Sequence, residues 1–416
     1  MTIVVNLGQK YDIYGKIAMV STGLDILFRS AEVQQKVIGR IAYLGHAASV
    51  SYRMGNGLDE LVGLFGKRVI KVFGPQHGFG SAVQDNMIET DHFIHPAYKI
   101  PVYSLYGETR KPTGDMLEGI DTLIVDLQDV GTRVYTYIWT LYLTMEACID
   151  KNIRIIVLDR PNPIGGQLKE GNLPDPEWYS FVAMAPIPMR HGMTIGEMAL
   201  YFKKLNNWDS DLHVVQMEGW KREMLWKNTG RLWVNPSPNL STPEGALIYP
   251  GSVLLEGTVL SEGRGTTRSL EQFGHPDIDP YAIRFGLSDF LDKQQQSGFV
   301  LRPVWFQPAF QKFAGQVCGG FQIHVTDPAL FTPWKLMLLI LKYLYHNTGI
   351  HPFWNTAPYE YQFTGLAFDW INGTPRIREW VEDKDSGVEE LRQKEGIGSA
   401  ELAFGSVDDL RSLIYD

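Results

Sequence analysis

Residues 122–137 read TLIVDLQDVGTRVYTY. The opening run, Thr122 to Leu127, is β-branched or aliphatic except for Asp126, with no polar residue at every second position. A strand wetted on one face alternates, whereas a strand covered on both faces does not. The run is therefore expected to be an interior strand of a parallel sheet. A polar and aromatic segment, QDVGTRVYTY, follows it. A helical pattern over Tyr137 to Lys151 comes next, with Leu141, Met145, Cys148 and Ile149 on one face. Outward from this unit the pattern repeats. Val37–Leu44, Arg68–Phe73, Pro101–Leu105 and Arg154–Leu158 are further strand candidates, with a helix expected over Leu58–Phe65. Strands alternating with helices point to an α/β fold with right-handed crossovers. In such sheets functional loops gather at the carboxyl ends of the strands. Four of these runs end in chemically rich segments: GPQHGFG after RVIKVF, YGETRKP after PVYSL, QDVGTRVYTY after TLIVDL, and DRPNPIGG after RIIVL. One fold rule thus brings them to a single edge of one sheet.

The second half reads differently. A helix over Gly196–Lys204 has Thr194 as N-cap and Glu197 completing a capping box. A boundary is placed near Asn206, giving units 1–205 and 206–416. Leu212–Gln216 looks like a strand. The loop NPSPNLSTPEG then leads to short apolar runs at Leu247–Tyr249 and Gly251–Glu256. Strand candidates near Leu301–Phe306 and Gly320–Val325 precede a helix over Thr332–His346. Two short helices are expected near Arg376–Glu382 and Ala400–Tyr415. A chain of 416 residues can bury a large core without disulfide or metal staples. Cys148 and Cys318 read as buried thiols. A net charge of −9 argues against a nucleic-acid partner. No run approaches the about 20 apolar residues of a membrane span. The first residues lack the pattern of a signal peptide, so a cytoplasmic location is expected. Oligomeric state is left open.

The candidate site residues lie on these loops. GPQHGFG offers Gln76 and His77 between glycines, and it is no dinucleotide fingerprint. QDNMIETDHFIH offers Asp85, Glu89, Asp91, His92 and His95, a density suited to acid/base work. Asp91 and His92 are adjacent rather than spaced for a metal. QDVGTRVYTY offers Asp129, Arg133, Tyr135 and Tyr137. Arg133 there could bind a carboxylate with its planar fork or pair with Asp129. DRPNPIGG holds Asp159, Arg160 and Asn162 on a Pro-stiffened loop. The second half adds His191, Asn239, Glu256, Glu262, Arg264 and His275.

Together the stretches PQHGFG, PVYSLYGETRKPT, VDLQDVGTRVYTY, VLDRPNPIGG, PIPMRHGMTIGEMA, PSPNL and YPGSVLLEGTVLSEGRGTTRSLEQFGHP resemble the NamZ-type exo-β-N-acetylmuramidases. The likeness runs from about Phe73 to Pro276. It implies a Rossmann-like parallel-sheet subdomain, a second, smaller α/β subdomain and a cleft between them. It also implies a peptidoglycan-derived saccharide as substrate and no organic cofactor, and the residue spacing leads to no expected metal. One departure stands out. The family commonly has Pro-Glu-His-Gly where this chain has Pro75-Gln76-His77-Gly78. An amide exchanges no proton at neutral pH, so an acid role does not carry over to Gln76. Glycoside hydrolysis usually needs two carboxylates. Glu89 is expected as general acid, with Asp85 as its alternative, and Asp129 or Asp159 as the second carboxylate or orienting group. His77 would hydrogen-bond the sugar or tune a neighbour. Arg133 or Arg264 would meet the lactyl carboxylate. Gln76, Tyr135, Arg160, Asn162, His191, Glu256 and His275 complete the expected substrate contacts. Two rival readings remain: a non-catalytic sugar binder, and a metal-dependent hydrolase using Asp85, Asp91, His92 and His191.

Overall fold

A computed structural model describes residues 19–84, 87–356, 358–394 and 414–415. Its larger sheet has seven strands: β1 Ile41–Gly45, β2 Val69–Gly74, β3 Phe93–Ile94, β4 Pro101–Ser104, β5 Thr122–Asp126, β6 Arg154–Leu158 and β7 Leu212–Val215. Their order is β3-β4-β2-β1-β5-β6-β7. Every pair is parallel except β3 with β4. β1 and β5 are buried along their whole length. Within β5 and β6 successive side chains part to opposite faces, as the strand period requires. Leu123, Val125, Ile155 and Val157 pack with Leu141, Met145 and Cys148 of helix Tyr137–Cys148. Ile124, Ile156 and Leu158 pack with helices Gly23–Arg29 and Gly57–Phe65. Helices on both faces explain why these strands carry no polar alternation.

From β1 the chain runs to β2 and β4 on one side and to β5, β6 and β7 on the other. That reversal between β1 and β5 is a topological switch point, where a crevice opens at the carboxyl ends. β7 still belongs to this sheet, so the sheet continues beyond the expected boundary at Asn206. The expected capping box is present at helix Ile195–Leu205, with Thr194 and Glu197 bonding reciprocally.

The smaller sheet is antiparallel: β8 Gln272–His275, β9 Phe299–Phe306 and β10 Cys318–Val325, in the order β8-β10-β9. Helices Pro280–Lys293 and Pro333–Asn347 accompany it. The apolar runs at Leu247–Tyr249 and Gly251–Glu256 form one helix, Pro243–Ser252, continued by a 3-10 turn over Val253–Gly257. Gly245 to Ser252 are all buried, so no polar stripe marked the helix in the sequence. Gly251 permits its close packing, because a Cβ there would sit 2.1 Å from the Pro333 carbonyl oxygen. Both lobes share one hydrophobic core, which runs from Leu123 to Phe321 and Trp334. The helix Arg376–Glu382 forms as expected, whereas most of the candidate near Ala400–Tyr415 lies outside the described residues. Both cysteines are free and buried. Among the described residues no helix is long and apolar enough to cross a membrane.

Candidate active site

A cavity of about 470 Å³, counting its open mouth, lies at the carboxyl ends of β2 and β5 beneath the smaller lobe. The larger lobe contributes Gln76 and His77 after β2, and Val134 to Tyr137 after β5. The turn after β2 places His77 at φ 68° and Gly78 at φ 78°. Left-handed backbone at a non-glycine residue is uncommon. Here it aims Gln76 and His77 inward together. The far wall is Tyr249, Glu256, Arg264, Tyr359 and Glu360.

Glu360 is only 3% exposed. Gln76 Nε2 donates to its Oε1 at 3.2 Å, and Tyr106 Oη donates to its Oε2 at 2.8 Å. Gln76 is itself oriented, because its Oε1 accepts from Thr136 Oγ1 at 2.6 Å. Burial pushes the Glu360 carboxyl up to about 7. The hydrogen bond from Tyr106 opposes this, the nearby charge of Glu256 adds to it, and Gln76 and Arg110 oppose it again. Glu360 and Tyr361 both hold left-handed backbone, at φ 42° and 68°. Two successive non-glycine residues in that region are costly and persist only where their surroundings enforce them. Those surroundings are the bonds to Gln76 and Tyr106 and the Tyr359 hydroxyl on Glu256.

Glu256 sits in the 3-10 turn and has the opposite environment. Arg264 Nη2 donates to its Oε1 at 2.6 Å, and Tyr359 Oη donates to its Oε2 at 3.0 Å. The cavity thus holds one carboxyl that can carry a proton near neutral pH and one in a buried ion pair. The side walls are aromatic: Tyr135 lies 4.6 Å from Tyr137 and stands edge-on to Tyr249 at 6.1 Å. His77 Nδ1 donates to the Val83 carbonyl at 2.7 Å, which leaves Nε2 as an acceptor. Burial pushes this imidazole down to about 4, so it is neutral at pH 7.

Residues 41–244 match the family model for the N-terminal part of the exo-β-N-acetylmuramidase NamZ, and residues 247–400 match that for its C-terminal part. This chain belongs to the NamZ family. The peptidoglycan β-N-acetylmuramidase NamZ of Bacillus subtilis is 40% identical over 367 residues, covering 88% of this chain and 85% of that protein. A DUF1343-family protein from Bacteroides fragilis is similar in structure, with a TM-score of 0.80 at 29% identity, over 96% of this chain and 100% of that one. A second from the same organism shares the fold, with a TM-score of 0.69 at 24% identity, over 96% and 99%.

In this NamZ-family chain the structure brings together Gln76, His77, Tyr135, Glu256 and Arg264 from the residues expected at the site, and Asn239 with them. Others lie elsewhere. Glu89, expected as the acid, is a surface side chain 54% exposed, 3.8 Å from Arg110 and bonded by the Tyr361 hydroxyl. Asp159 is buried under the N-terminus of helix Ile195–Leu205. It accepts from Gly196 N, Thr194 Oγ1 and Tyr415 Oη, so it caps a helix. Arg160 forms a buried fork on Asp126. Asn162 bridges Met193 and Ile164. Asp129 and His191 pair with each other at 3.2 Å, and Asp129 also caps Gly131 N. Arg133 is fully buried, and its two terminal nitrogens donate to the carbonyls of Asn172, Ile187, Ile371 and Asn372. No fork remains for a substrate carboxylate. His275 accepts from Asp277 N and packs edge-on against Phe313.

Of the residues considered for a metal, His92 Nδ1 accepts from Ser104 N and Asp91 is exposed, while Asp85 lies outside the described residues. Among the described residues no three His, Cys, Asp or Glu side chains cluster to hold an ion. Sequence reasoning missed Glu360, Tyr359, Tyr106 and Thr136. The first two come from the Tyr359-Glu360-Tyr361 segment of the tail, far from any strand end of the larger sheet. Because Glu89 faces water, Glu89→Gln is expected to keep kcat within about threefold of the parent, the scale of an exposed ion pair. A loss of two orders of magnitude in steady-state assays would return the acid role to Glu89.

Proposed function

We propose that this chain is an exo-acting glycoside hydrolase that releases a muramic-acid-type sugar from the non-reducing end of peptidoglycan fragments. Membership of the NamZ family supports the reaction class and the saccharide. The observation that carries the reading is one cavity holding a buried, proton-bearing carboxyl at Glu360 beside the Glu256–Arg264 ion pair. On this reading Glu360 is the general acid, protonating the leaving oxygen. Glu256 is the second carboxylate, facing the charge that develops on the sugar ring. Gln76 replaces an acid by an amide that orients Glu360. Neutral His77 accepts a hydroxyl through Nε2, and the tyrosines offer ring faces. Arg133 is engaged within the protein through both terminal nitrogens, whereas Arg264 meets Glu256 and Glu262 through Nη2 and Nε and lines the cavity, so its Nη1 is the donor for the lactyl carboxylate. Ser237 and Asn239 add neutral polar groups to the same lining.

Gln76 also favours a second reading, a binder without turnover. Incubation with a chromogenic β-N-acetylmuramide separates the two. Hydrolysis is expected, with the matching N-acetylglucosaminide turned over more slowly. Calorimetric binding of N-acetylmuramic acid without any release of colour would replace the hydrolase by the binder.

A further inference from the structure

Arg264 does not face Glu256 alone. Its Nε lies 3.2 Å from Glu262, a carboxylate 2% exposed on the same loop. Glu262 in turn is met by Lys312 Nζ at 3.0 Å. The same ammonium donates to the Leu255 carbonyl at 2.9 Å and the Leu260 carbonyl at 3.0 Å. Lys312 comes from the connection between β9 and β10, so the small sheet reaches the back of the cavity through one side chain. The result is a line of alternating charge, Lys312–Glu262–Arg264–Glu256, whose last member lines the cavity. Its two cations balance its two anions. The opposed charges of Lys312 and Arg264 hold the Glu262 carboxyl below its usual range despite its burial.

Two buried carboxylates compete for one guanidinium, and what decides the competition is the charge on the far side of Glu262. With Lys312 in place, Glu262 is already neutralised and Arg264 keeps its strong contact with Glu256. Without Lys312, Glu262 is an uncompensated buried anion, and Arg264 is its only other partner in the line. We infer that Lys312 and Glu262 are positioning residues that hold Arg264, and through it the Glu256 carboxylate, in working register. This rests on the reading of Glu256 as the second carboxylate and adds the device that keeps it oriented.

The test compares Lys312→Met, Lys312→Arg and the double variant Glu262→Gln/Lys312→Met in two measurements. One is hydrolysis of the chromogenic N-acetylmuramide, and the other is calorimetric binding of N-acetylmuramic acid. Lys312→Met is expected to lower kcat about tenfold, with KM moving much less, as for one coupled member of a charged network. Lys312→Arg should recover most of the loss. The deciding arm is the double variant. Removing the competing anion as well should restore kcat to within about threefold of the parent, because Arg264 is again left to Glu256. If Lys312 served only to tie down the Leu255 and Leu260 carbonyls, the double variant would be as impaired as the single, and that result overturns the inference. So does a Lys312→Met chain that matches the parent. Should the single variant fail to fold, the double variant decides alone, with kcat within about threefold of the parent supporting the inference and a tenfold loss overturning it. Should the parent itself prove inactive, the hydrolase reading has failed. This inference then falls with it, whereas an active parent whose variants depart from the expected pattern overturns this inference alone.

Discussion

Replacing Glu360 by Gln is expected to lower kcat on a chromogenic N-acetylmuramide by about 10²- to 10⁴-fold, the range of a lost general acid. Affinity for the product sugar should change little. The amide keeps the shape and can still meet Gln76 and the Tyr106 hydroxyl, but it has no proton to transfer. The pH profile gives a second signature. With the Glu360 carboxyl at about 7, the proton-bearing form is the majority below that pH and falls tenfold per unit above it. The parent rate should therefore decline on the alkaline side of about 7, and whatever rate remains in Glu360→Gln should lack that limb. Stability carries the same group with a definite sign. A carboxyl raised from 4.5 to about 7 binds a proton in the folded chain that the unfolded chain has released. Folding stability therefore falls as pH rises through that window, by roughly 3 kcal/mol at most. Glu360→Gln should remove this fall, so its Tm should gain on the parent between pH 5 and pH 8. A variant that turns over at the parental rate, or retains the alkaline limb, would dismiss Glu360 as the acid.

The largest structural effect is expected at Arg133. One guanidinium serves Asn172 and Ile187 with one nitrogen and Ile371 and Asn372 with the other, so it ties the segment after β5 to the tail. Arg133→Met fills much of the same space but leaves these buried carbonyls without that donor. Each unmade bond to a buried acceptor costs about 1–3 kcal/mol, so a loss of at least ~3 kcal/mol is expected. Arg133→Lys should rescue little, since a compact ammonium lacks the planar fork that spans four acceptors. Urea denaturation would check this. A midpoint within the error of the parent would show that the four bonds contribute nothing net.

Glu360 and Arg133 mark the two ways in which sequence and site diverge. The parallel sheet was readable because β1, β5 and β6 lack polar alternation and because β2, β4, β5 and β6 end in polar loops. The edge that would hold the cavity followed from that. Gln76, His77 and Tyr135 came with it, since a strand-end rule finds strand-end residues. The same rule also swept in Asp159, Arg160, Asn162 and Arg133. Their chemistry looks catalytic along the chain, yet each closes a helix end, a turn or a lobe contact. Only partners distant in sequence, such as Thr194 for Asp159 or Asn372 for Arg133, reveal this. Glu360 was illegible for the converse reason. Nothing near Tyr359-Glu360-Tyr361 signals an element, and its importance comes from meeting Tyr106 and Gln76 across the fold. Glu89 drew attention by the company of other acids and histidines, but crowding in sequence says nothing of burial, and burial sets a carboxyl's proton affinity.

The division of the cavity between lobes has an evolutionary corollary. Gln76, Thr136, Tyr135 and Tyr137 descend from the sheet, while Tyr249, Glu256 and Glu360 are lent by the segment that follows it. A gene fragment encoding the sheet alone would inherit a hollow stripped of both acids. Recombination can therefore exchange the two halves of such proteins only as a matched set, and shuffled pairs should fold more often than they work.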